Sequence, residues 1–143
     1  MLAVRQLLSD QEIAAAFPLV VQLRTHLRED EFVATVRRQQ ASGYRLFGGF
    51  EEGRLVTVAG VRDAETLSRG PHLFVDDLVT IDTERGKGHA TALLQWLASE
   101  AKSRGVRRIF LDSRESAMGF YKQLGFEYLK ATPCWIDVDR LAL

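Results

Sequence analysis

The sequence predicts an α/β protein built on one mixed, largely antiparallel sheet flanked by helices. Three observations carry that expectation. Strand-like apolar runs are interleaved with amphipathic helical segments along all 143 residues. The turn Glu51-Glu52-Gly53 joins two of those runs as a tight hairpin. The segment Arg85-Gly86-Lys87-Gly88-His89-Ala90 carries the chain from a strand directly into a helix.

Taken in order, a short strand near 3–7 gives way at Ser9, where Ser9 and Glu12 form a capping box. The helix that follows places Ile13, Phe17, Val20, Val21 and Leu23 on one face, and Pro18 should kink it or split it in two. A second amphipathic helix spans about 29–40, with Phe32, Val33 and Val36 inward, and ends at Ser42-Gly43. Strands follow at 44–50 and 54–61, then a polar loop over 63–71. The strand over 73–81 is apolar except for two adjacent acids, Asp76 and Asp77. A helix from Gly88 to about Arg104 repeats Ala90, Leu93, Leu94, Leu97 and Ala101 at helical spacing and stops at Gly105. A strand at 107–112, a short helix at 116–124 ended by Gly125, and strands at 126–129 and 134–138 complete the chain. There is no internal repeat and no low-complexity linker, so residues 1–143 read as a single domain.

The loop at 85–90 is the chemically informative segment. Gly86 and Gly88 remove two Cβ atoms where a strand turns into a helix, so backbone N–H groups can close around a phosphate. The helix dipole and the unpaired donors of the first turn favour an anion, and Arg85 and Lys87 add two positive charges. A pyrophosphate fits that description; a plain structural corner is the alternative. A Walker A loop is excluded because position 81 is Ile81 rather than glycine and position 88 is Gly88 rather than Ser or Thr. A dinucleotide fingerprint fails at Thr91, where a small third residue belongs.

Composition narrows the classes further. With 46% hydrophobic and 27% charged residues the chain is long enough to bury a core. Nineteen basic and nineteen acidic residues cancel, which leaves no electrostatic footprint for nucleic acid or an anionic membrane surface. No signal-peptide h-region follows Met1 and no apolar run reaches membrane-spanning length, so the expected location is cytoplasmic. The lone cysteine, Cys134, has no disulfide or CxxC partner and is expected as a buried structural thiol. His26, His72 and His89 are not spaced as ligands, so no metal is expected.

The chain resembles the GNAT superfamily of N-acetyltransferases over essentially its whole length. Arg85-x-x-Gly88-x-Ala90 matches that family's Arg/Gln-x-x-Gly-x-Gly/Ala loop, and Phe120-Tyr121-x-x-Leu124-Gly125-Phe126 matches its second signature. The resemblance implies a GNAT fold whose sheet splays between its fourth and fifth strands, with acetyl-CoA as cosubstrate in the gap. It implies that Val79, Thr80 and Ile81 present backbone groups to the pantetheine arm, as in strand addition. Arg85, Gly86, Lys87, Gly88, His89, Ala90 and Thr91 would hold the pyrophosphate, with Ser113 and Phe120 completing the cofactor-binding set.

The family reaction moves an acyl group, usually acetyl, from CoA to an amine by direct attack. Freeing the lone pair of an amine of pKa ~10.4 at neutral pH costs about 4.6 kcal/mol, so a base must accept that proton. The resemblance assigns this base to Asp76 and the acid that protonates the departing thiolate to Tyr121. Strand alternation should send Asp76 and Asp77 to opposite faces, leaving Asp77 to orient substrate or structure; the alternative is that both acids sit near the strand's exposed entry or pair with arginines. Tyr121 could instead be a packed phenol, and Tyr44 and Tyr128 read as core or sheet residues. Many family members carry asparagine where this chain has Arg114; Ser113 or Ser116 could take that place, and Arg114 could face an acidic acceptor or solvent.

Cys134 and Trp135 lie on a segment that in the family lines the acceptor pocket or a dimer contact, which leaves a homodimer open beside simple core packing. The acceptor is a small-molecule or peptide amine whose identity the residues Arg24, His26, Arg28, Glu29 and Asp30 do not encode. A non-catalytic acyl-CoA-binding sensor or partner module is the alternative; it would keep the loop but need neither Tyr121 nor an acid at 76.

Overall fold

The computed structural model describes residues 1–141. They fall into two compact units, one of residues 1–111 and one beginning at Asp112.

The first unit is a five-stranded sheet in the order β1-β2-β3-β4-β5, with β1 Ala3–Gln6, β2 Tyr44–Glu51, β3 Arg54–Thr66, β4 Gly70–Thr80 and β5 Ile109–Leu111. The first three pairings are antiparallel, and β4 pairs with β5 in parallel. Between β1 and β2 lie α1 Asp10–Ala15, α2 Phe17–Leu23 and α3 Glu29–Gln40; α4, His89–Ser103, connects β4 to β5.

Local sequence accounts for most of these boundaries. The Ser9 side chain accepts the Glu12 N–H while the Glu12 carboxylate accepts the Ser9 N–H, the capping box expected for α1. Pro18 lies in the first turn of α2, where its missing N–H leaves no bond unmade, and so the helix is split rather than kinked. Glu29, Asp30 and Glu31 begin α3 and Arg37 and Arg38 end it, each sign matching the helix dipole. Glu52 and Gly53 both take positive φ, 50° and 77°, as a two-residue hairpin between β2 and β3 demands.

The helices cover both faces of the sheet. Leu7, Ile13, Leu19, Phe32, Leu46 and Val58 are buried in one cluster formed by α1–α3 against the strands. On the other face Leu93, Leu94 and Leu97 of α4 are buried, and Trp96 rests on Phe47 with ring centroids 5.4 Å apart.

Several expectations change. The polar stretch 63–71 is not a loop: β3 runs to Thr66 and β4 starts at Gly70, pairing Asp63 with Leu73 and Glu65 with Pro71. Its polarity reflects exposure to solvent, not loss of the ladder. The strand expected at 107–112 is only Ile109–Leu111, as long as its pairing with Leu73–Val75.

In the second unit, a 3₁₀ turn, Glu115–Ala117, leads into α5, Met118–Gln123, which Gly125 closes with φ 97°, and another 3₁₀ turn is Val138–Arg140. The strands expected at 126–129 and 134–138 do not form, and residues 126–137 carry neither helix nor strand. Alternating apolar residues make a strand only where a neighbouring edge supplies ladder partners, and Pro133 withholds a donor just before the second run. Cys134 is accordingly exposed, not buried, and Trp135 is 83% exposed. No helix among the described residues is long and apolar enough to cross a membrane.

Candidate active site

The expected anion loop starts where β4 ends. A 3₁₀ turn at Asp82–Glu84 leads to Arg85, then Gly86 and Gly88 at φ 78° and 82°, and Gly88 is the N-cap of α4. A Cβ on either glycine would meet open space, so these positions favour glycine through backbone conformation and not through crowding.

The first turn of α4 carries no acid of its own, whereas the first turns of α1 and α3 are acidic, and the α4 cap provides no side-chain acceptor. The donors of its first turn and the positive end of its dipole are therefore left for a ligand. The Arg85 Nε donates to the Thr80 carbonyl at 3.2 Å, and its guanidinium makes no ion pair among the described residues. Lys87 is engaged: its Nζ lies 2.7 Å from Glu84, which also receives Arg54 at 3.3 Å. The Lys87 ammonium above all holds the Glu84 carboxyl below the usual carboxylate range. His89 is buried as the first residue of α4, with its Nε2 unpartnered among the described residues and 3.8 Å from the Glu84 carboxylate. Ala90 and Thr91 follow in that first turn.

The outer edge of β4 is the second element. β5 pairs with β4 only at Leu73–Val75, so no strand among the described residues covers positions 76–80 on that side. The Ile81 N–H donates to the Val56 carbonyl at 2.8 Å and the Val79 carbonyl receives the Thr57 hydroxyl at 3.1 Å, so both face β3. By antiparallel alternation the groups of Thr80 and Leu78 face the open edge, and of the three positions expected there Thr80 is the one so placed.

The two acids do not part to opposite faces. Asp77 stands opposite Gly60 and Val75 opposite Val61, which leaves Asp76 as the extra residue of a β-bulge. Both Asp76 oxygens are held by Arg62, 2.6 Å from Nε and 2.8 Å from Nη2. Asp77 accepts from Arg24 Nε at 2.9 Å and from the Tyr44 hydroxyl at 2.8 Å. Tyr44 and Arg62 are register partners on β2 and β3, so the bulge gathers both carboxylates on the face that carries α2. Burial, and then the Asp77 charge, push the Tyr44 phenol well above its ordinary value. Sequence reasoning missed Arg24 and Tyr44; no local signal marks either residue, because their partner lies across the sheet.

In the second unit, Tyr121 is a buried residue of α5 between Phe120 and Phe126, with ring centroids at 5.1 and 5.3 Å. Burial raises its phenol above the ordinary value, with a smaller push from Tyr128, whose own hydroxyl donates to the Met118 carbonyl. The Ser113 hydroxyl donates to the Arg114 carbonyl at 2.8 Å. No cluster among the described residues has the ligands to hold a metal ion.

Sheet, loop and helix terminus together place a glycine-rich strand-to-helix turn beside an open strand edge. Residues 3–126 match the acetyltransferase (GNAT) family. An uncharacterized N-acetyltransferase of Bacillus subtilis is 30% identical over 131 residues, 88% of this chain and 92% of that protein. Glucosamine 6-phosphate N-acetyltransferase of Trypanosoma brucei brucei is 30% identical over 96 residues, 66% of this chain and 65% of that protein. A crystal structure of a Trypanosoma brucei acetyltransferase has the same fold, with a TM-score of 0.75, 23% identity, and coverage of 95% of this chain and 99% of that one. The chain belongs to the acetyltransferase (GNAT) family, and with it to the acyl-CoA-dependent N-acyltransferases.

Proposed function

We propose that the protein transfers an acetyl group from acetyl-CoA to an amine of a small molecule or peptide, with residues 1–143 acting as one catalytic domain. The observation that carries this reading is the acid-free first turn of α4, entered through two positive-φ glycines beside Arg85, which makes no ion pair among the described residues, in a member of this family.

When bound, acetyl-CoA supplies an activated thioester carbonyl and a thiolate leaving group. The first-turn amides from Gly88 to Thr91 bind its pyrophosphate with Arg85, and Lys87 joins them by exchanging Glu84 for phosphate. Leu78 and Thr80 pair with the pantetheine amides along the open edge of β4, with Val79 and Ile81 flanking Thr80; Ser113 and Phe120 contribute further cofactor contacts. Asp76 takes the proton from the acceptor amine through water, using the free lone pairs of oxygens that Arg62 holds in place. Asp77 orients, and Tyr121, whose raised pKa keeps it protonated at neutral pH, gives its proton to the thiolate. The acceptor panel should begin with amino sugars and their phosphates, given the glucosamine 6-phosphate enzyme among the relatives. A cytoplasmic location and a homodimer belong to the same reading.

A second reading, a non-catalytic acyl-CoA sensor, is favoured by one observation: both candidate acids are already engaged by arginines. Calorimetric titration with acetyl-CoA, NAD as control, followed by thiol release across the amine panel separates the two. The enzyme reading requires binding and amine-dependent release, whereas binding without release under any amine supports the sensor. Reversing Arg85 and Lys87 to glutamate should abolish measurable acetyl-CoA binding; undiminished affinity would refute the loop assignment.

A further inference from the structure

Leu73 and Ile81 lie an even number of positions apart on and just beyond one strand, where backbone groups of a regular strand would point to the same edge. Here they point to opposite edges. The Leu73 N–H donates to the Arg108 carbonyl at 2.9 Å, on the β5 side, and the Ile81 N–H donates to Val56 at 2.8 Å, on the β3 side. The bulge at Asp76 is what reverses the alternation. Before it, Leu73 and Val75 face outward and pair with β5; after it, Leu78 and Thr80 face outward onto the open edge.

We infer that Arg24 and Tyr44 are positioning residues for acyl-CoA: with Gly60 they lock the bulge at Asp76 and so decide which backbone groups of β4 meet the pantetheine arm. The inference rests on the acyl-CoA reading above.

A bulge leaves its extra residue outside the ladder, and that residue needs partners from elsewhere. α2 and β2 supply them. Arg24 Nη2 donates to the Asp76 carbonyl at 2.8 Å while its Nε holds the Asp77 carboxylate at 2.9 Å, so one guanidinium grips both residues of the bulge. The Tyr44 hydroxyl holds the other Asp77 oxygen at 2.8 Å. Gly60, the register partner of Asp77, makes room for it: a Cβ there would lie 1.7 Å from that hydroxyl oxygen. Gln22, in the last turn of α2 just before its C-cap Arg24, accepts the Asp82 N–H at 3.0 Å and ties the far end of the same segment.

An extended amide arm pairs with N–H and C=O groups two residues apart on one edge. If the bulge is lost, Val79 replaces Leu78 and Thr80 at that edge and the pattern moves by about 3.3 Å. The phosphate loop depends on that register only through Arg85, whose Nε donates to the Thr80 carbonyl; its other donors are first-turn amides of α4.

The test is calorimetry on native protein, Arg24→Met and Tyr44→Phe, with two ligands: acetyl-CoA, and 3′-phosphoadenosine 5′-diphosphate, which carries the phosphates without the arm. Folding of each variant is checked by circular dichroism. In Arg24→Met the acetyl-CoA dissociation constant should rise about tenfold or more while that of the phosphate ligand stays within about twofold, with a smaller change of the same kind in Tyr44→Phe. Equal weakening of both ligands, or no change in either, overturns the inference. Native protein that binds neither ligand overturns the acyl-CoA reading and this inference with it. A ligand-free measurement stands beside these. By hydrogen exchange, the Leu78 and Thr80 amides should exchange faster than those of Val79 and Ile81 in native protein, and the contrast should collapse in Arg24→Met; an unchanged pattern in a folded variant overturns the lock.

Discussion

Replacing Gly60 with alanine is expected to be among the most damaging single-methyl additions in the sheet. The new Cβ would lie 1.7 Å from the Tyr44 hydroxyl oxygen, 2.3 Å from its Cζ and 2.6 Å from its Cε1. A planar ring cannot bend away, and Tyr44 is only 6% exposed, so it must move as a unit and leave Asp77. Overpacking costs about 1–3 kcal/mol and a lost hydrogen bond to a charged partner about 1.5–3 kcal/mol, so a total of about 3–5 kcal/mol is expected. Against a typical stability of about 5–15 kcal/mol, this should lower the melting temperature by roughly 10 °C or more. Thermal unfolding followed by circular dichroism reads it directly. The cause is isolated by repeating the change in Tyr44→Ala, where Gly60→Ala should cost less than about 0.5 kcal/mol. A Gly60→Ala variant melting within about 2 °C of native, or equally costly in both backgrounds, would refute the reasoning.

Asp76→Asn should lower turnover most near neutral pH and progressively less at high pH, where the acceptor amine loses its own proton; unchanged turnover across the range removes Asp76 from the mechanism. Tyr121→Phe should reduce kcat by about 100-fold with little change in acetyl-CoA affinity, and a loss under threefold or so would assign the proton to another donor. The Tyr121 pKa is raised in the fold, so its protonated form supports the fold below the ordinary phenol range, and that support fades as pH rises through the raised value. Tyr121→Phe should therefore flatten part of the alkaline decline seen in a pH series of melting temperatures. Glu84 has the opposite sign. Its folded-state pKa is lowered, chiefly by Lys87, so its contribution is present above the unfolded value of about 4.3 and is lost as pH falls through the lowered one. Lys87→Met should thus destabilise at neutral pH and converge with native protein in acid; a constant gap across the series would exclude the ion pair as the cause.

Much of this protein was legible before any coordinates, because its signals are local. The capping box at Ser9 and Glu12, the split at Pro18, the charged ends of α3 and the hairpin glycine at 53 each act within one turn of chain. The loop from Arg85 to Ala90 was readable for the same reason: a glycine-rich entry, two cations and a helix start lie side by side. Family membership followed from that loop and from the segment around Tyr121.

The bulge was not legible, since a bulge belongs to a pair of strands and no stretch of one strand announces it. Alternation alone sends Asp76 and Asp77 apart; the extra residue opposite Gly60 brings them to one face and hands Asp76 to Arg62 and Asp77 to Arg24 and Tyr44. The late apolar runs failed in the converse way, because Phe126–Leu129 and Cys134–Val138 have strand-like patterns but no ladder to join. The sequence by itself determined the helices, the turns, the glycine-rich entry to α4 and the class of chemistry, all of which are set by neighbours a few residues away. Only the tertiary structure decided which acids share a face, which arginines neutralise them and which amides of β4 lie open, because those depend on hydrogen bonds between residues far apart in the chain.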